Sequence, residues 1–144
     1  MQSLGPFSRQ SAKAAIRELS GGVFMMRMTG ALTVEAVDEF GRQLNAAHGR
    51  EAVGWVFDYR HAALIATDDD LARLSRVPHP DALMRPAAFV CPAHLEPVLR
   101  RQAIRMASMG YPRRVFLTVP NALAYVRSEA ALQRLHFQGP KGTP

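Results

Sequence analysis

The sequence predicts an α/β fold: a single mixed, mostly parallel sheet of about five strands with helices packed on it. Three observations carry this expectation. Short strand-like runs alternate with segments of helical periodicity along most of the chain. The runs at 53–57 and 87–91 are almost continuously apolar, as strands buried on both faces are. The chain has 144 residues, 48% of them hydrophobic, which suits one domain with one sizeable core. The expected core spans about 15–135, with a flexible N-terminal arm at 1–12 and a C-terminal tail at 136–144.

The first element is the hardest to assign. Residues 11–19 include good helix formers, with Ser11 available as a cap. Gly21-Gly22 and the strand-like run at 23–29 favour a β-hairpin instead, which also covers one edge of the second strand. Thr33 then caps a helix running to about His48. Leu32, Ala36, Val37, Phe40 and Leu44 fall at three- and four-residue steps along it, and Gly49 suits its end. The strand at 53–57 follows, and residues 58–70 are expected as a loop leaving its C-terminal end. Thr67 with Asp70 reads as a capping box for a helix bearing Leu71, Leu74 and Val77.

Pro78, Pro80 and Pro86 interrupt the chain before the strand at 87–91. Pro97 suits the first turn of a helix that carries Leu99, Ala103, Met106 and Ala107 on one face and ends at Gly110. A strand at 114–117 comes next. Pro120 opens a last helix bearing Leu123 and Val126, with Leu132 and Leu135 as candidate extensions of its apolar face. Strands alternating with helices imply right-handed crossovers and a mostly parallel sheet.

Net charge is +6, carried almost entirely by arginine. The arginines are dispersed. The pairs Arg100-Arg101 and Arg113-Arg114 have no interleaved aromatic residues to stack bases, so no nucleic acid partner is expected. No apolar run has the length of a membrane helix, and the first residues lack the layout of a secretory signal. A lone Cys91 excludes an internal disulfide and suits the cytoplasm.

Catalytic patterns are thin. Cys91 and His94 could form a nucleophile and base, yet Cys91 reads better as a small core residue. Asp68-Asp69-Asp70 lacks the Gly and distal Glu of a calcium loop, and the helix dipole alone favours acids in a first turn. No phosphate-binding Gly loop or nucleophile elbow is present. The expectation is no catalytic set, no metal and no cofactor. Met25, Met26 and Met28, with Met106 and Met109, read as core fillers first and as the lining of a pliable cavity second. The candidate interaction or switch residues cluster after the strand at 53–57: Asp58, Tyr59, Arg60, His61, Thr67 and Asp68.

Three segments carry a family resemblance. One is the strand at 23–29 closed by Gly30, with Leu32-Thr33 opening a helix. The second is Trp55-Val56-Phe57-Asp58-Tyr59-Arg60, a buried strand ending in Asp-aromatic-Arg. The third is Gly110, then Arg114-Val115-Phe116 and Asn121-Ala122-Leu123-Ala124-Tyr125-Val126. In that order, over about 15–128, the chain resembles the SpoIIAA-like group related to STAS domains (sulfate transporter and anti-sigma factor antagonist). The resemblance implies an open, largely parallel sheet and a small bacterial cytoplasmic module that binds a protein partner and is not an enzyme. It also implies a kinase-switched serine opening the helix after the second long strand. Here the Asp-x-Ser-Ser-Gly pattern is missing. Thr67 is the only hydroxyl, it is explained as a cap, and phosphate beside three carboxylates would be repelled. Phosphorylation in the usual way is not expected. The looser branch of the group is compared with a lipid-binding fold, which makes a carrier or sensor of a small apolar ligand or lipid, using a pocket in the α/β sheet, the alternative. Self-association as a homodimer is compatible with either reading.

Overall fold

The computed structural model describes residues 11–142, with side chains described through residue 134. Most of the arm at 1–12 and the side chains of the tail at 136–144 lie outside the described residues, as does the side chain of Leu135.

The hairpin is present. Strand β1 (Lys13–Ser20) pairs antiparallel with β2 (Val23–Thr33). Gly21 and Gly22 join them at φ 58° and 86°. Positive φ at both positions of a two-residue turn matches the strand twist, and glycine adopts it without strain. Thr33 accepts a hydrogen bond from the Ala36 amide at 3.2 Å and so caps α1 (Val34–His48). Strand β3 (Gly54–Ile65), helix α2 (Asp68–Arg76), β4 (Ala87–Val90), α3 (Glu96–Ser108), β5 (Arg113–Phe116) and α4 (Val119–Gly142) complete the order.

The sheet has five strands in the order β1-β2-β3-β4-β5. Only the first pair is antiparallel. Right-handed crossovers that always step the same way put their helices on one face, and α1, α2 and α3 share one. There Phe24, Met26, Met28, Trp55 and Phe89 meet Leu44 of α1 and Leu99 of α3. The Trp55 indole N–H donates to the Ala82 carbonyl at 2.6 Å, which satisfies the polar atom of a fully buried ring. On the opposite face Val23, Met25, Val56, Ala88 and Val90 pack against Ala122 and Val126 of α4.

Several expectations need correction. Val77 lies past the end of α2 and Met109 past the end of α3, and both are exposed rather than part of the core. Strand β3 does not end at Phe57. It runs to Ile65, because β2 continues beside it as a partner and Ala62 and Leu64 turn inward toward the core. On α3 it is Gln102 rather than Ala107 that is buried, since the helix rotates its arginine-free side toward the cavity beneath it. Strand β5 takes in Arg113 and leaves Leu117 beyond its end, 54% exposed. Leu132 is 56% exposed and extends no apolar face.

Candidate functional site

Strand β4 pairs with β3 only as far as Asp58↔Val90, and β3 runs on with β2 as its neighbour. A β-bulge marks this departure. The register passes from Arg27↔Asp58 to Thr29↔His61, so β3 holds one residue more than β2. Asp58 organises it. Its side chain is fully buried, and Oδ1 accepts from the Arg60 backbone N–H at 3.0 Å and from Arg60 Nε at 2.9 Å. Oδ2 accepts from Arg60 Nη2 at 2.9 Å and Arg27 Nε at 3.3 Å. Burial by itself would raise the Asp58 carboxyl. The hydrogen bonds and charge of Arg60, with that of Arg27, outweigh it and hold the group below its ordinary 3.8.

Register assigns the rest of this face. Lys13, Ala15 and Arg17 of β1 stand opposite Thr29, Arg27 and Met25 of β2, so their side chains share the Asp58 face. His61, opposite Thr29, joins them and is exposed. Helix α4 packs on Val23, Met25 and Val56, nearer the start of the parallel strands. The half beyond it is a sheet surface of small residues, Ala15, Thr29, Ala31 and Ala63, set with Lys13, Arg27, Arg60 and His61, and Arg17 stands at its border beside Met25. Asp58 is the carboxylate that β1–β3 contribute to this face, because Glu18 lies opposite Phe24 on the other side and accepts from the Gly22 amide. The Arg27 and Arg60 side chains remain 43% and 32% exposed, so the cluster is open to solvent from above.

The residues expected in one loop therefore separate. Asp58, Arg60 and His61 stand within β3 on the open face. Tyr59 points to the opposite face, buried against Phe89 in an edge-on contact at 6.0 Å. Thr67 and Asp68 open α2. Thr67 Oγ1 accepts from the Asp70 amide and the Asp70 carboxylate accepts from the Thr67 amide, both at 3.0 Å, which is the expected capping box. Asp68 Oδ1 accepts from Arg105 Nη2 at 2.8 Å and Arg101 Nε at 3.3 Å, tying α2 to α3. Thr67→Ala is expected to lower stability by about 1 kcal/mol, read as a fall of about 3 °C in a thermal melt. Thr67→Ser should melt like the wild type, and an unchanged Thr67→Ala melt would deny the cap any weight.

Cys91 is buried in the core, and burial, with the charge of Glu96 adding to it, pushes its thiol up to about 11. Such a thiol is inert at neutral pH, while His94 lies on the exposed surface. Among the described residues no group of His, Cys, Asp or Glu is arranged to hold a metal ion. No described helix is long and apolar enough to cross a membrane.

Three buried polar residues escaped the sequence reading: Ser75, whose hydroxyl donates to the Ala72 carbonyl within α2, Gln102 and Arg113. A signal for Arg113 existed. Neighbouring residues of a strand point to opposite faces, so one of Arg113-Arg114 had to enter the side packed by α3.

No protein-family model and no curated protein matches the sequence. Solved structures do match the fold. An anti-sigma factor antagonist from Mycobacterium paratuberculosis aligns at a TM-score of 0.51 and 16% identity, over 81% of this chain and 95% of its own. An uncharacterised DUF3478-family protein with a SpoIIAA-like fold from Shewanella loihica aligns at 0.54 and 17% identity, over 88% and 98%. The phosphorylated form of the Bacillus cell fate determinant SpoIIAA aligns at 0.50 and 14%, over 79% and 99%. The fold is therefore SpoIIAA-like, an α/β sheet of the STAS type.

Proposed function

We propose that the chain is a regulatory, non-enzymatic module of the bacterial cytoplasm that acts by binding another protein. The observation that carries this reading is the fold shared along nearly the whole length of an anti-sigma factor antagonist and of the cell fate determinant SpoIIAA. The open half of the sheet supplies the docking face. Its cations outnumber its one carboxylate, so an acidic surface complements it. Charged rims of this kind act mainly on encounter and on the choice of partner. The usual phospho-switch has no part in this reading, because the Thr67 hydroxyl closes a capping box beside Asp68, Asp69 and Asp70.

Affinity capture from a bacterial lysate, with the wild type and the double variant Lys13→Glu/Arg17→Glu compared at low and high salt, tests the proposal. An acidic protein should be retained by the wild type at low salt, released at about 0.5 M salt, and bound at least about tenfold more weakly by the variant. Equal capture by both proteins would remove the basic face from the proposal. Empty capture by the wild type would remove the proposal itself.

A further inference from the structure

Beneath the helical face lies a half-open cavity of about 100 Å³, between the sheet and helices α1, α2 and α3. Its walls are largely apolar, Leu71 and Leu99 among them, and its lining also includes Ser75, His79, Gln102 and Asp38, whose carboxylate is paired with Arg42. Into this setting come Tyr59 and Arg113, only 5% and 6% exposed. Arg113 Nη1 donates to the carbonyls of Arg85 at 2.6 Å and Pro112 at 2.9 Å, and Nη2 donates to that of Leu83. A guanidinium has five N–H donors. Its Nε and one Nη2 hydrogen find no acceptor among the described residues, and no carboxylate pairs with it. The charged or ionisable groups that act on it are phenols: Tyr125, Tyr59 and Tyr111. Burial brings the guanidinium down to about 10, so it stays charged at neutral pH. The Tyr59 hydroxyl, buried beside it, also has no hydrogen-bond partner among the described residues.

Buried charges are ordinarily paired, and buried hydroxyls ordinarily bonded. One guest would meet both needs: an anionic oxygen that accepts from Arg113 and Tyr59 while an apolar body fills the space between Met26, Leu71 and Leu99. An engineered apolar cavity of about 150 Å³ holds benzene, so the smaller volume here suits an apolar body of about four or five carbons. We propose that this cavity is a binding site for a small organic acid, its carboxylate held by Arg113 and Tyr59 and its apolar end lying against Leu71 and Leu99. Gly41 of α1 keeps the space open, since a Cβ there would already stand 3.3 Å from Leu83 Cδ1.

Titration of the full-length protein by calorimetry and NMR, with hexanoate, 1-hexanol and dodecanoate as probes, decides the matter. Hexanoate should bind at least about tenfold more tightly than 1-hexanol, because the alcohol cannot pair the guanidinium. Dodecanoate, whose longer tail would run out through the open side into water, should bind no more tightly than hexanoate. Arg113 also holds three carbonyls, so the variants are placed elsewhere. Tyr59→Phe should weaken hexanoate about fivefold or more and leave 1-hexanol unchanged. Gly41→Leu, which fills the cavity at a helical position, should abolish both while remaining folded by circular dichroism. Equal affinity for acid and alcohol, no binding at about 10 mM, tighter dodecanoate, or a Gly41→Leu protein that still binds would each overturn the assignment.

Discussion

Gly54→Ala is expected to destabilise the protein by about 3 kcal/mol. A Cβ at this position would stand 2.3 Å from Val126 Cγ1 and 2.8 Å from the Pro86 carbonyl oxygen. Neither neighbour can yield cheaply. Val126 is fully buried and anchors α4 to the sheet. The Pro86 carbonyl accepts from the Trp55 amide at 2.9 Å, at the point where β3 and β4 begin to pair. Relief therefore requires α4 to lift from Val56, Ala88 and Val90, or the start of that ladder to open. The expected fall in melting temperature is about 10 °C. Trp55 is the one tryptophan of the chain and is buried in the core, so its fluorescence follows unfolding directly. Adding Val126→Ala should restore about 1 kcal/mol, because it removes the Cγ1 collision and leaves the Pro86 one. A Gly54→Ala protein melting within about 2 °C of the wild type would mean that α4 does not approach the sheet this closely.

That close contact was not legible in the sequence. Gly54 reads there as an interruption in an apolar run, and nothing local says that a helix more than sixty residues later needs the space. Elements that declare themselves locally were legible. Thr33 and Thr67 were recognisable as caps, Gly21-Gly22 as a hairpin turn, and the apolar runs as central parallel strands. The candidate site was legible by residue and misplaced by geometry. Asp58-Tyr59-Arg60-His61 reads as a loop because polar residues end an apolar run. The structure keeps them in a strand, since Asp58 supplies from its own side chain the acceptor that the Arg60 amide takes where β4 has ended. Period-two alternation then resumes at residues 61–65, but it is short and weakly apolar, and a neighbouring strand is what gives it meaning. The cavity residues Gln102 and Arg113 show the same limit, because their burial depends on elements far away in the chain.

Asp58→Ala is expected to lower stability by about 3 kcal/mol at pH 7. The carboxylate is fully buried and accepts four hydrogen bonds, one from a backbone amide and three from arginine side chains. Removing it leaves that amide without its acceptor and sets the Arg27 and Arg60 guanidinium groups near each other with nothing between them. Their partial exposure lets both turn toward water, which keeps the expected cost below that of breaking a wholly buried pair. Asp58→Asn should cost about 2 kcal/mol, since its amide oxygen can still receive the Arg60 N–H. The pH dependence separates charge from shape. The Asp58 carboxyl sits below its ordinary 3.8 in the folded state, so the unfolded chain takes up its proton first as the pH falls. Its stabilisation is complete well above 3.8 and drains away as the pH drops through that value toward the folded one. The stability gap between wild type and Asp58→Asn, measured by urea unfolding, should thus be level from about pH 7 to pH 5 and narrow below that. A gap that stays constant into strong acid would assign the effect to the bulge hydrogen bond alone. A gap under about 0.5 kcal/mol at pH 7 would show that the two arginines hold the open face without Asp58. A narrowing gap would instead assign part of the effect to the Asp58 charge that holds Arg27 and Arg60 together at the bulge.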